Sequence, residues 1–210
     1  MAATPSTMVP LGTIAPAFTL PDAHGKQIDF LSTGVTRGAS AAASTNAKTG
    51  ASIDAIKGAS TETSTDAKGH LICFICNHCP FVKHIEKALL TLAEEAMQRE
   101  IAVYAISSND AEKYPEDAPD KMAQKQYPFP YVYDETQEVA RAYDAACTPD
   151  FFLFDAQYRL VYRGQFDDSR PGNSIPPDGR DLRTAIDALI TGRAPLEDQR
   201  PSIGCNIKWK

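Results

Sequence analysis

Three of the chain's five cysteines, Cys73, Cys76 and Cys79, fall in one short stretch, and Cys76 and Cys79 enclose Asn77-His78 and precede Pro80. In a reducing compartment, thiols clustered this way do redox or metal chemistry rather than cross-linking. The Cys76–Cys79 motif stands between an apolar run, 71–75, and a segment of helical periodicity that starts at Phe81. A cysteine at a helix amino terminus meets unpaired backbone N–H groups and the positive end of the dipole, which favour its thiolate. Side chains three residues apart on a turn lie roughly 5–6 Å apart, so a tightened first turn can close a disulfide. His78, once protonated, stabilises a thiolate beside it. A thiol of pKa ~8.5 is only a few per cent ionised at neutral pH, whereas at ~7 about half of it is thiolate. A less basic thiolate is also a weaker nucleophile, which offsets part of that gain.

A metal site is the competing reading. Cys73, Cys76 and Cys79 followed by Pro80 overlap the spacing of iron–sulfur ligands, and His70, His78 and His84 could add nitrogen ligands for zinc or copper. Against it, alternation along a strand turns Cys73 away from Cys76, and no fourth cysteine follows at short spacing. Cys73, inside the apolar run, reads as a small hydrophobe. Cys147 reads as structural although it directly precedes Thr148-Pro149. Cys205, in the segment PSIGCNIKWK, is either an auxiliary resolving thiol or a packing anchor beside Trp209. His84 reads as an ordinary surface or packing histidine. Arg163, Asp167, Asp168 and Arg170 read as surface charges that answer one another.

The elements that must position these residues follow from periodicity. Segments 18–20 and 27–30, joined across Asp22-Ala23-His24-Gly25, predict a hairpin. The run 71–75 predicts a strand, and the steps Val82, Ile85, Leu89, Leu92 and Ala96 predict an amphipathic helix over 81–98. Segment 101–106 is apolar on both faces, as a covered central strand would be, and 129–133 predicts another strand. Asp134 with Gln137 three residues on resembles a capping box that opens a helix through Tyr143. Segments 151–154 and 159–163 predict a strand pair, and Leu182, Ile186, Leu189 and Ile190 predict a last helix stopped at Gly192. This order implies an α/β domain with a mixed central sheet and helices on both faces.

Segment 32–69 is out of character, being almost entirely Ala, Ser, Thr, Gly and Lys, with a degenerate internal repeat. Such a composition cannot offset its ordering entropy by burial, and disorder is expected. The whole chain, 1–210, is otherwise expected to form one domain, with 193–210 as a carboxy-terminal tail. The net charge of −6 gives no reason to expect nucleic-acid or anionic-membrane binding. No apolar run approaches the ~20 residues that span a bilayer, and the amino terminus does not read as a signal peptide. A soluble, cytoplasmic protein is the expectation.

The strand–CxxC–helix order, with Thr148-Pro149 placed before the strand at 151–154, resembles the thioredoxin fold, in which a cis-proline loop faces the CxxC. The runs FICNHCPFVKHI, AISSND, ACTPDFFLFD, YRGQFDDSRPGN and PSIGCNIKW resemble thioredoxin-like redoxins of the alkyl hydroperoxide reductase/thiol-specific antioxidant family. The resemblance implies thiol–disulfide oxidoreduction. Cys76 would be the exposed attacking thiol and Cys79 its resolving partner, supported by Asn77, His78 and Pro80. Pro149 would shape the groove in which a disulfide docks, and Thr148 would offer backbone hydrogen bonds there. The implied partners are a disulfide-containing protein or small thiol and a cellular dithiol donor, with no organic cofactor and no metal. Typical peroxiredoxins carry Pro and Thr seven and three residues before the peroxide-reactive cysteine. Counting back from Cys79 reaches Ile72 and Cys76, and from Cys76 reaches Gly69 and Cys73. Thiol peroxidase action on hydroperoxides is therefore the alternative rather than the first expectation.

Overall fold

The computed structural model describes residues 3–31 and 67–210. The segment expected to be disordered, 32–69, lies outside them apart from residues 67–69. In chain order the strands are β1 (Ala3–Pro5), β2 (Phe18–Pro21), β3 (Gln27–Phe30), β4 (Gly69–Phe74), β5 (Ile101–Ser107), β6 (Tyr131–Tyr133), β7 (Cys147–Thr148), β8 (Asp150–Asp155), β9 (Leu160–Gly164) and β10 (Ile203–Asn206). The helices are α1 (Pro80–Gln98), α2 (Pro119–Met122), α3 (Glu138–Ala142) and α4 (Arg180–Ile190), with a short 3-10 turn at Pro115–Asp117.

The central sheet runs β6-β5-β4-β8-β9. β4 pairs in parallel with β5 and antiparallel with β8, so it is hydrogen-bonded on both edges. Its sequence is apolar on both faces because both are covered. Leu71, Cys73 and Ile75 pack with α1 and α4. Ile72 and Phe74 pack with the β2–β3 hairpin and α3. α1 buries Val82, Ile85, Leu89, Leu92, Ala93 and Ala96, the stripe its periodicity predicts. Each buried Val, Leu or Ile contributes about 1.5–3 kcal/mol, which fixes the helix on the sheet and its first turn at the end of β4.

Two local expectations change. Asp134 does not cap the helix after β6: Gln137 is the N-cap, in a left-handed conformation at φ 63°. The Asp134 carboxylate still accepts Ala140 N–H at 2.9 Å, while the Gln137 amide donates to Ser108 O and Lys208 O instead of reaching back. The expected tail, 193–210, carries β10, the middle strand of a second antiparallel sheet, β1-β10-β7. Trp209 does not anchor Cys205; it is exposed, with the Arg141 guanidinium over its ring. No helix among the described residues is long and apolar enough to cross a membrane.

Candidate active site

β4 ends at Phe74, and α1 begins at Pro80 with Cys79 as its N-cap. Pro80 at the first helical position lacks an N–H that would have had no partner there anyway. The helix terminus thus belongs to Cys79, and Cys76 lies in the loop before it. Both thiols are buried, Cys76 at 1% and Cys79 at 0% exposure, so the expected exposure of Cys76 is corrected. The cover comes from Thr148 and His78. Cys76 Sγ lies 3.4 Å from Thr148 Oγ1 and 3.9 Å from His78 Nδ1, and Cys79 Sγ donates to Thr148 O at 3.2 Å. The Thr148–Pro149 peptide is cis. All five cysteines are free thiols.

One residue that sequence reasoning missed organises the loop. Asp117, fully buried in the 3-10 turn, accepts Asn77 N–H at 2.8 Å and His78 N–H at 3.1 Å through Oδ1. Its Oδ2 meets His78 Nδ1 at 2.5 Å and accepts Asn109 Nδ2–H at 2.7 Å. The Asn77 side chain donates to Glu116 O and accepts from the Tyr131 hydroxyl, and the His78 ring stacks on Tyr114 at 5.3 Å. The hydrogen bond to Asp117 holds the His78 pKa above its usual value against the opposing effect of burial. Burial pushes the Asp117 carboxyl up, but its bonds from His78 and Asn109 outweigh this and keep it below the ordinary range.

The two sulfurs are not equivalent. Donation from Cys76 pulls the Cys79 thiol down to about 5; burial opposes this, and Thr148, Cys205 and the Val82 N–H assist it. Cys76 is pushed up by giving its hydrogen bond to Cys79, by burial and by the Asp117 charge. The contact with Thr148 O is a hydrogen bond only while Cys79 keeps its proton, so ionisation exchanges that one acceptor for several donors. These effects favour the thiolate on Cys79 over Cys76.

The other candidates are distributed differently. Cys73 lies within β4 with its pKa raised by burial, and it packs in the same core cluster as Cys76. The strand has ended before Cys76, so alternation does not separate the two. Among the described residues, the donors close enough to share a cation are Cys76, His78 and Asp117, within 4.8 Å. A site of Cys73, Cys76 and Cys79 is not formed, and His78 and Asp117 are already engaged with each other. His70 is buried on the opposite face, stacked on Tyr158, and burial lowers its pKa to about 4 against the raising influence of Asp155. Cys147 donates to Pro149 O at 3.6 Å. His84 borders a small cavity beside Pro149, with its Nε2 buried and without a hydrogen-bond partner. The charges at 163–170 do not answer one another: Asp168 pairs with Arg200, Arg163 donates to Val9 O and Gln199, and buried Asp167 accepts the amides of Ser169, Asp178 and Gly179.

A dithiol at the start of the helix that follows the central parallel strand, faced by a cis-proline loop, defines a thioredoxin-like redoxin. The sequence profile of the AhpC/TSA family matches residues 41–163, and the chain belongs to that family. It is 46% identical to an uncharacterized conserved protein from Geobacillus kaustophilus, with a TM-score of 0.81 over 100% of this chain and 97% of the other. A hypothetical protein from Sinorhizobium meliloti is 41% identical, with a TM-score of 0.81 over 99% of this chain and 98% of its own. The thioredoxin domain of a thiol-disulfide oxidoreductase from Bacteroides vulgatus shares the fold, with a TM-score of 0.53 and 15% identity over 85% of this chain and 99% of that domain. No curated protein matches the chain.

Proposed function

We propose that the protein is a thiol–disulfide oxidoreductase in which Cys76 and Cys79 form the exchanging dithiol. The observation that carries this reading is that both thiols at the start of α1 contact Thr148, beside the cis Thr148–Pro149 peptide. The Cys79 thiolate attacks one sulfur of a substrate disulfide. That bond breaks, and the other substrate sulfur leaves as a thiolate and is protonated. Cys76 then loses its proton and attacks Cys79 in the mixed disulfide, releasing the second substrate thiol and leaving Cys76–Cys79 oxidised. Two electrons have passed to the substrate, and a cellular dithiol restores the pair. This order is the reverse of the one expected from the sequence, because the groups that favour a thiolate converge on Cys79. Both sulfurs are buried, so attack requires the loop at Asn77-His78 or the Thr148 segment to move aside. The substrate is a protein disulfide or a small disulfide docking along Pro149, and the cytosol, which keeps such thiols reduced, suits the reading.

The test is turnover of insulin disulfides with dithiothreitol as donor. Cys79→Ser should reduce activity to background, whereas Cys76→Ser should permit the first attack. Full activity in Cys79→Ser would sink the reading. One observation favours a second reading, thiol peroxidase action: Cys76 stands three residues before Cys79, the position where peroxiredoxins carry threonine, and packs in the same cluster. Hydroperoxide would convert Cys79 to a sulfenic acid, which a thiol condenses to a disulfide with loss of water. Stopped-flow mixing of the reduced protein with hydrogen peroxide decides. Oxidation orders of magnitude faster than disulfide exchange would install the peroxidase reading in its place.

A further inference from the structure

We propose that Cys205 is a second resolving thiol for Cys79, an inference that rests on the reading of Cys79 as the attacking sulfur. β10 runs antiparallel to β7 with Cys205 directly opposite Thr148, the residue whose hydroxyl and carbonyl touch the two sulfurs. Directly opposed residues on paired strands hold their Cβ atoms roughly 4.5–5.5 Å apart. From that position Cys205 packs in the same buried cluster as Cys76 and Cys79. Cys79 therefore shares that cluster with Cys76, from the loop before its helix, and with Cys205, from a strand far along the chain.

The approach of β10 is unusually close. A Cβ on Gly204 would stand 2.0 Å from Thr148 O and 3.1 Å from Pro149 N. Only a residue without a side chain lets the strand come this near. Cys147 and Cys73 are also buried thiols near the site, yet the former donates to Pro149 O and the latter lies within the sheet. Cys205 is buried at 2% exposure, so it is shielded from external reagents while it packs in the same cluster as the reactive sulfur.

The step balances without any outside reagent beyond the substrate disulfide. In the mixed disulfide, the Cys205 thiolate attacks the Cys79 sulfur. The Cys79–substrate bond breaks, the Cys79–Cys205 bond forms, and the substrate sulfur leaves and takes up the proton that Cys205 gave up. The same attack on an internal Cys76–Cys79 disulfide frees Cys76 as a thiol and moves the oxidised bond to β10, with no net change in electrons.

Trapping with insulin tests this. Cys76→Ser should leave little mixed disulfide, because Cys205 resolves it, and peptide mapping should find Cys79 linked to Cys205. Cys76→Ser combined with Cys205→Ser should accumulate at least about tenfold more mixed disulfide, since no thiol is left to displace the substrate. Equal accumulation in the single and double variants would overturn the proposal while leaving Cys79 as the attacker. Accumulation only in Cys79→Ser would overturn the order of attack and this proposal with it. Gly204→Ala keeps every thiol but drives β10 from Thr148. In the Cys76→Ser background it should raise the mixed disulfide toward the level of the double variant. An unchanged Cys79–Cys205 yield there would refute the claim that this close approach delivers Cys205.

Discussion

Two buried carboxyls lie in the segments that meet at the sulfurs, Asp117 under Asn77-His78 and Asp150 just after Pro149, and their surroundings push their pKa values in opposite directions. Asp117, under the Asn77-His78 loop, accepts two backbone amides, the Asn109 amide and the His78 ring, and its pKa is depressed. Asp150, which follows Pro149, is equally buried, yet neither of its oxygens has a hydrogen-bond partner of good geometry. Burial pushes its pKa far up, opposed only weakly by the nearby Ala146 and Phe151 amides and by Ser202. The same group at the same depth is pushed toward its charged form in one place and toward its neutral form in the other. Donor supply rather than burial sets the direction here: Asp117 has four donors that favour its charged form, and Asp150 has none of good geometry.

The contrast can be broken most directly by removing each acceptor. Asp117→Ala leaves four donors unmet, one of them on the His78 ring, and should cost about 3–5 kcal/mol in urea unfolding, as breaking a buried pair does. Alkylation of Cys76 and Cys79 in the native state should speed up, because the loop that covers them is released. Asp150→Asn should be close to neutral below about pH 4, where the buried acid keeps its proton in both states. Comparable losses in both would show that the two carboxyls do the same job.

The dependence on pH sharpens the comparison. The contribution of Asp117, whose pKa is lowered on folding, is present above ~3.9 and is lost as pH falls through its lower folded value. That of Asp150, whose pKa is raised, is present below ~3.9 and is lost as pH rises toward its folded value. Asp150→Asn should therefore gain stability over the native protein as pH rises from 4 to 8. The deficit of Asp117→Asn should shrink only below about pH 4. Urea midpoints across that range read both signs. His78, whose pKa is raised, adds stability below ~6.5 that fades as pH climbs through its folded value. The smallest effect should be that of His78→Gln, about 0.5–1.5 kcal/mol at pH 6 and less at pH 9, because Asp117 keeps its other donors.

The legible parts of the molecule were those whose cause is local. The stripe from Val82 to Ala96 gave α1 its length and its buried face, because the helical period writes itself into neighbouring residues. The CxxC and Thr148-Pro149 carried chemistry in their residue types. Asp117 could not be found this way: its partners Asn77 and His78 lie forty residues back, and one aspartate in a polar turn looks like any other. β10 escaped for a different reason. It spans only Ile203–Asn206 and is held by backbone pairing to β1 and β7, which leaves little pattern in side chains. The capping box failed at Gln137 because the side chain that should have reached back found Ser108 O and Lys208 O across the fold. The helix terminus fell at Cys79 rather than Cys76, since β4 ends before Ile75 and the intervening loop belongs to neither element.

The lateness of β10 has a consequence for biosynthesis. A growing polypeptide that has emerged only as far as Pro201 already carries both sulfurs of the motif and the proline loop, but not the strand wedged against that loop through Gly204. Until the ribosome delivers those few residues, the nascent chain should hold the two thiols without the strand that packs against the proline loop.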